Sequence, residues 1–141
     1  MCKEEVYPPL GEEKAFAIGV YDGGRYEVTV GFKELMPEGE GWKTLRLDGE
    51  KIPQSAVFRF RKEGDKIKAF SGDTKTLKKL FNEKKIPVSE RGYIPLIAER
   101  ECGEVYAVCG VEISEKVKID EGTKKVLYIT LRKRGMANGK T

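Results

Sequence analysis

The sequence predicts an α+β fold, mostly antiparallel β-strands with one principal helix at about residues 73–85. Three observations predict it. Residues 15–32, AFAIGVYDGGRYEVTVGF, set an apolar run and an alternating run on either side of Asp22-Gly23-Gly24, which is turn chemistry. Residues 58–70, FRFRKEGDKIKAF, alternate apolar with cationic residues around Lys62-Glu63-Gly64-Asp65. Residues 73–85, DTKTLKKLFNEKK, carry Leu77, Leu80 and Phe81 at i, i+3 and i+4, a single apolar stripe.

Taken in order, residues 1–13 hold Pro8, Pro9, Gly11 and four glutamates and read as a tail or linker. Residues 14–55 form an acidic, β-rich leading segment. It contains the hairpin, a loop at 36–41, and a short strand from Trp42 to Leu47 ended by Asp48-Gly49. In that strand Leu45 and Leu47 face one side, Thr44 and Arg46 the other. Residues 56–134 form a basic α+β segment, and 135–141 a frayed end. If Lys62 to Asp65 is a tight turn, 56–61 and 66–70 pair as a hairpin, with Arg61 opposite Lys66 and Arg59 opposite Lys68. Like charges so placed repel, unless phosphates lie between them. Asp73 is the candidate N-cap of the helix, and Pro87 forbids its continuation. Lys75, Lys78 and Lys79 then lie on its exposed side. A short helical turn at Ser89-Glu90-Arg91 precedes Pro95. Strands follow at 93–98, 105–111 (interrupted by Gly110) and 125–131, with a turn at 101–104.

The composition excludes whole classes of chemistry. There is no histidine, and Cys2, Cys102 and Cys109 have no CxxC spacing. Most zinc sites, histidine general bases and Cys-His nucleophiles are thereby removed. Cys109 sits in an apolar strand and reads as a small buried hydrophobe. No glycine-rich phosphate loop and no catalytic pair of acids appear. Ser71-Gly72-Asp73 has no base and reads as a helix cap. Tyr93, Tyr106 and Tyr128 read as core, and Trp42 as core or interdomain contact. No apolar run approaches the roughly 18 residues of a membrane span, and MCKEEVYPPL has no signal-peptide core. The reading is one cytoplasmic domain with no membrane partner, no catalytic residue, and no metal or cofactor of its own. It is a binding module rather than a catalyst.

Of 141 residues, 39% are hydrophobic and 35% charged, with a net charge of +4. That total hides an asymmetry. Residues 1–55 carry −4, and residues 56–141 carry +8. A basic half attracts phosphate polymers. Taken singly, each lysine is best read as solvated or paired with Glu63, Asp65, Glu83 or Glu90. Taken together, Arg59, Arg61, Lys66, Lys68, Lys75, Lys78, Lys79 and Arg91 point to an anionic partner.

The ordered set FRFRKEGD, TKTLKKLFNEKKIP, ERGYIPLIA and EVYAVCGVEISEKVKI resembles the C-terminal domain of bacterial tRNA(Ile)-lysidine synthetase. Arg59, Arg61, Gly64, Asp65, Lys78, Lys79, Pro87, Arg91, Pro95, Gly110, Ile113, Ser114, Lys116 and Lys118 match the family pattern. The resemblance implies a fold shared with a domain of the phenylalanyl-tRNA synthetase β chain. It also implies docking on the acceptor stem of isoleucine tRNA. Lysine would be attached to the wobble cytidine with ATP and magnesium by a separate N-terminal PP-loop domain, whose SGGxDS-type motif is absent here. Arg59, Arg61, Lys78, Lys79 and Arg91 are then the first-choice phosphate contacts, with Lys66, Lys68, Lys75 and Lys116 second. One departure is that SGDTKT lacks the basic residue often found just before the family's lysine-rich helix. The alternative reading is a structural domain that packs on other domains or forms a homodimer without touching RNA, its acidic segment covering the basic face.

Overall fold

A computed structural model describes residues 14–22, 25–37, 41–70, 72–100 and 103–133. The expected tails, Cys2, Cys102, Ser71 and the tip of the first hairpin lie outside the described residues.

The strands are β1 (Lys14–Ala15), β2 (Gly19–Asp22), β3 (Tyr26–Gly31), β4 (Lys43–Asp48), β5 (Ala56–Arg59), β6 (Lys66–Lys68), β7 (Thr74–Thr76), β8 (Leu96–Glu99), β9 (Glu104–Val108), β10 (Glu112–Ile113) and β11 (Val126–Lys133). Two helices, α1 (Leu77–Glu83) and α2 (Val88–Arg91), lie between β7 and β8. One seven-stranded sheet runs β1-β5-β8-β9-β6-β7, with β10 paired to β9; a four-stranded sheet runs β2-β3-β11-β4. Among the described strands only β6 and β9 pair in parallel. The α+β class with mostly antiparallel strands is as the sequence predicts.

The first hairpin forms as expected, with Tyr21 opposite Val28 and Val20 opposite Thr29. Its alternation decides its facing. Tyr26, Val28 and Val30 point into the core with Leu47, Leu127, Ile129 and Leu131. The Tyr21 ring lies 4.1 Å from that of Phe58 on β5, so the two sheets share one core. Both sheets draw strands from either side of residue 55: β1 pairs with β5, and β11 lies between β3 and β4. The acidic and basic segments are therefore interleaved. Cys109 is buried, and burial pushes its thiol up to about 12, as befits an inert core residue.

Two expectations are corrected. Strands 56–61 and 66–70 do not pair with each other. Arg59 lies opposite Leu96, Lys66 opposite Thr76 and Glu104, and Lys68 opposite Thr74, so no two of these cations oppose one another. β5 and β6 are separated in the sheet by β8 and β9, with which they pair instead of with each other. The helix also starts later than residue 73. Residues 74–76 are extended, pair with β6, and include two β-branched threonines that suit a strand. Thr76, not Asp73, caps α1 by accepting from the Lys79 N–H. Leu77, Leu80 and Phe81 are buried as the stripe predicts. The helix ends where Ile86 N–H donates to the Phe81 carbonyl at 3.0 Å and Lys85 takes the left-handed φ of 59°, just before Pro87.

Glu90 of α2 ties this helix to the four-stranded sheet. It accepts from the Tyr26 hydroxyl at 2.7 Å and Lys133 Nζ at 3.1 Å, and faces Arg25 at 3.5 Å. Burial alone would raise its carboxyl. The Tyr26 hydroxyl and the Lys133 and Arg25 charges outweigh burial and hold it below the usual range. A depressed carboxyl stabilises the fold above its ordinary value of about 4.3, and that contribution is lost as pH falls through the folded value. Glu90→Gln should cost about 1–2 kcal/mol at neutral pH. The gap to the parent should close progressively on acidification below the ordinary value, as urea unfolding across a pH series would measure.

Candidate nucleic-acid interface

The cationic motif at 59–65 sorts into two environments. Arg59 is the last residue of β5, a strand covered on both faces, and its side chain turns inward. Its Nη1 and Nη2 donate to the two Asp65 carboxylate oxygens at 2.9 Å each, its Nε to the Glu99 carbonyl at 2.8 Å, and Nη1 also to the Phe60 carbonyl at 3.0 Å. Both side chains of the pair are 2% exposed. Asp65 also accepts from the Lys62 N–H at 2.7 Å, and its carbonyl accepts from Leu77 N–H at the start of α1. Arg59 therefore cannot meet a surface phosphate, and its expected contact role is corrected to a structural one. Removing an ion from water is offset here by bidentate geometry and filled donors.

Beyond Asp65 the chain enters β6. Lys66 and Lys68, two residues apart, share a face with Thr76 and Thr74 of the edge strand β7. Lys116, on the 3₁₀ turn Glu115–Val117, reaches the same place and pairs with Glu104. Together Gly64, Lys66, Lys68, Thr74, Gly103, Glu104 and Lys116 line an open groove of about 370 Å³. Its floor is backbone on backbone. Lys66 N–H donates to the Gly103 carbonyl at 2.7 Å, and a Cβ on Gly103 would lie 2.5 Å from the Gly64 carbonyl oxygen. Three ammonium groups against one carboxylate, with a threonine hydroxyl beside them, give a groove with excess positive charge suited to phosphate oxygens.

The other predicted cations lie apart. Lys78 and Lys79 are exposed on α1, opposite its buried stripe. Arg61 is half-buried, with its guanidinium 5.6 Å from the Phe81 ring centroid. Arg91 is buried, lies at the same distance from that ring, and donates Nε–H to the Ile86 carbonyl at 2.9 Å. Its expected exposure is corrected, because its guanidinium packs on Phe81 as part of the core edge. Lys75 belongs to β7 rather than the helix, and its ammonium is 2.6 Å from Glu83, whose carboxyl it holds below the usual range. The second-choice residues Lys66, Lys68 and Lys116 are thus the ones brought together.

The Thr74 side chain is not among the residues the sequence singles out, because residues 73–85 read as one helix. The signal that finds it is the cross-strand register of two β-branched threonines with two lysines. Tyr106 is core, as expected, with its hydroxyl bonded to Glu99. Trp42 and Tyr93 are half-buried under Arg132 and Arg25, whose guanidinium carbons lie 4.4 and 4.0 Å from the ring centroids.

Comparison with known proteins agrees with this architecture. Residues 57–130 match the model of the TilS substrate C-terminal domain. The chain is 42% identical over 96 residues to a tRNA(Ile)-lysidine synthase of Clostridium acetobutylicum, covering 67% of this chain and 20% of that protein. It is 40% identical over 99 residues to one of Clostridioides difficile, covering 65% and 21%. A match to one of Dehalococcoides mccartyi reaches 89% of this chain at 33% identity and spans 27% of that protein. The chain therefore spans only about a fifth to a quarter of the length of these relatives. A crystal structure of a TilS C-terminal domain has the same fold, with a TM-score of 0.57, 23% identity, and coverage of 83% of this chain and 89% of that one.

Removing one partner of the buried pair leaves a stranded charge. Arg59→Ala should destabilise the protein by about 3–5 kcal/mol and lower Tm by roughly 6–20 °C. Arg59→Lys should also fail to restore it, lacking the fork. Lys66→Ala, on the surface, should change stability by no more than about 0.5 kcal/mol. Thermal unfolding followed by circular dichroism distinguishes them.

Proposed function

The chain belongs to the family of TilS substrate C-terminal domains, and on that premise we propose that it is the tRNA-holding domain of a tRNA(Ile)-lysidine synthetase. In this reading it works in the cytosol and docks the acceptor stem of isoleucine tRNA, while a separate PP-loop domain attaches lysine to the wobble cytidine. The observation that carries the proposal is the groove of Lys66, Lys68 and Lys116. An A-form stem offers a wide, shallow minor groove edged by 2′-hydroxyls and phosphates, and its major groove is too narrow for side chains to read. Ammonium groups on flexible stems and a threonine hydroxyl suit that backbone. Arg61, Lys78 and Lys79, exposed or half-buried near α1, extend the contact. ATP and magnesium serve the catalytic domain.

A second reading has one observation behind it. Val20, 67% exposed, and Leu35, 59% exposed, lie on the outer side of the four-stranded sheet, opposite its core face. The chain spans about a fifth of its first relatives, so that surface is offered to the remaining domains of the same enzyme. The two readings use different surfaces and are compatible.

The test is tRNA binding across a salt series, comparing isoleucine tRNA with an elongator methionine tRNA. Steep weakening with salt on both tRNAs is expected of a backbone reader. Lys66→Ala and Lys68→Ala should each weaken binding to both tRNAs and reduce the salt slope by about one unit. Unchanged affinity and slope in both variants would remove the groove from the interface.

A further inference from the structure

The hairpin between β6 and β7 carries a feature that phosphate binding leaves unexplained. Phe70, two residues beyond Lys68, is 54% exposed. The turn that presents it is tight. Ala69 N–H donates to the Asp73 carbonyl at 2.8 Å, Gly72 N–H donates to the Ala69 carbonyl at 2.9 Å, and Gly72 takes the left-handed φ of 97°. These bonds hold the backbone on either side of Phe70, in a turn that leaves its ring half exposed.

Its surroundings are cationic. Lys118 Nζ lies 5.6 Å from the ring centroid, within cation–π range, and also faces Glu115 at 3.1 Å. Phe70, Lys118 and the exposed Arg46 line an open groove of about 390 Å³, with Leu45 and Ile113 beneath. Lys68, two residues before Phe70, lines the lysine groove, and its charge, after that of Lys118, helps hold the Glu115 carboxyl below the usual range. An aromatic face beside a phosphate-binding strip, with further cations around it, is how proteins hold single-stranded nucleic acid. Bases stack on the ring while lysines and arginines track the backbone. A protein partner would suit an apolar ring, but the charge around Phe70 is complementary to phosphate.

We propose that Phe70 is a stacking platform for an unpaired nucleobase at the end of an RNA duplex held by Lys66, Lys68 and Lys116, with Lys118 and Arg46 placed for the phosphate of that nucleotide. This rests on the lysine groove being the duplex site.

The experiment uses the full chain and two labelled RNA stem-loops of one sequence, one blunt and one with a short single-stranded 3′ overhang. The parent should bind the overhang probe more tightly than the blunt one. Phe70→Ala should weaken the overhang probe by about 5- to 100-fold and leave the blunt probe unchanged. Phe70→Trp should keep the preference. Its fluorescence should be quenched by the overhang probe and not by the blunt one, against a parent whose single tryptophan is Trp42. An overhang preference that survives in Phe70→Ala, or a Phe70→Ala loss shared equally by both probes, overturns the proposal and leaves Phe70 to a protein contact. Lys66→Ala and Lys68→Ala report separately on the groove. If they weaken both probes while Phe70→Ala does nothing, the duplex reading stands and the stacking platform falls. If the parent binds neither probe, both fall.

Discussion

The bidentate pair between Arg59 and Asp65 is the interaction on which the rest of the structure depends. It closes the chain on itself six residues apart, at 2% exposure, and three surrounding segments are bonded to one of its members. Through Glu99 it holds the end of β8, through Lys62 N–H it shapes the turn, and through Leu77 N–H it meets the start of α1. The lysine groove lies immediately beyond it. Lys66 and Lys68 stand where they do because Asp65 is anchored and because residue 103, as glycine, lets its backbone approach the Gly64 carbonyl more closely than any side chain would allow. An arginine that reads as a ligand for RNA is in fact what positions the lysines.

This division of labour follows from the side chains themselves. Guanidinium is planar and weakly hydrated, and can be buried against a carboxylate or an aromatic ring, as Arg59 and Arg91 are. Ammonium is strongly hydrated and stays at the surface, as Lys66, Lys68, Lys78 and Lys79 do. Among the described residues the buried cations are both arginines, Arg59 and Arg91, whereas the groove is lined by lysines.

Much of the fold is legible locally. The Val28/Val30 alternation, the Leu45/Leu47 strand and the Leu77/Leu80/Phe81 stripe each place their own residues, because each pattern expresses one buried face. The failures share a different cause. Asp73 is by residue type a better cap than Thr76, and what overrides that preference is pairing of residues 74–76 with β6. Lys62 to Asp65 has turn chemistry whether its flanking strands pair or diverge, and they diverge because β8 and β9, more than thirty residues away, fill the space between. The inward turn of Arg59 is hidden for the same reason, since nothing local says that β5 is covered on both faces. At the site, charge showed which half of the chain was basic, but only register showed which lysines converge.

The place of β11 between β3 and β4 also has a consequence for biosynthesis. Residues 43–48 are made well before Val126–Lys133, their one partner among the described strands. As the chain leaves the ribosome, β4 stays without a neighbour and β3 keeps a bare edge until some eighty residues more have emerged. Such edges recruit other strands. The nascent chain is thus most vulnerable to mispairing during this interval, and the arrival of the Val-Leu-Tyr-Ile-Thr-Leu run closes both gaps at once.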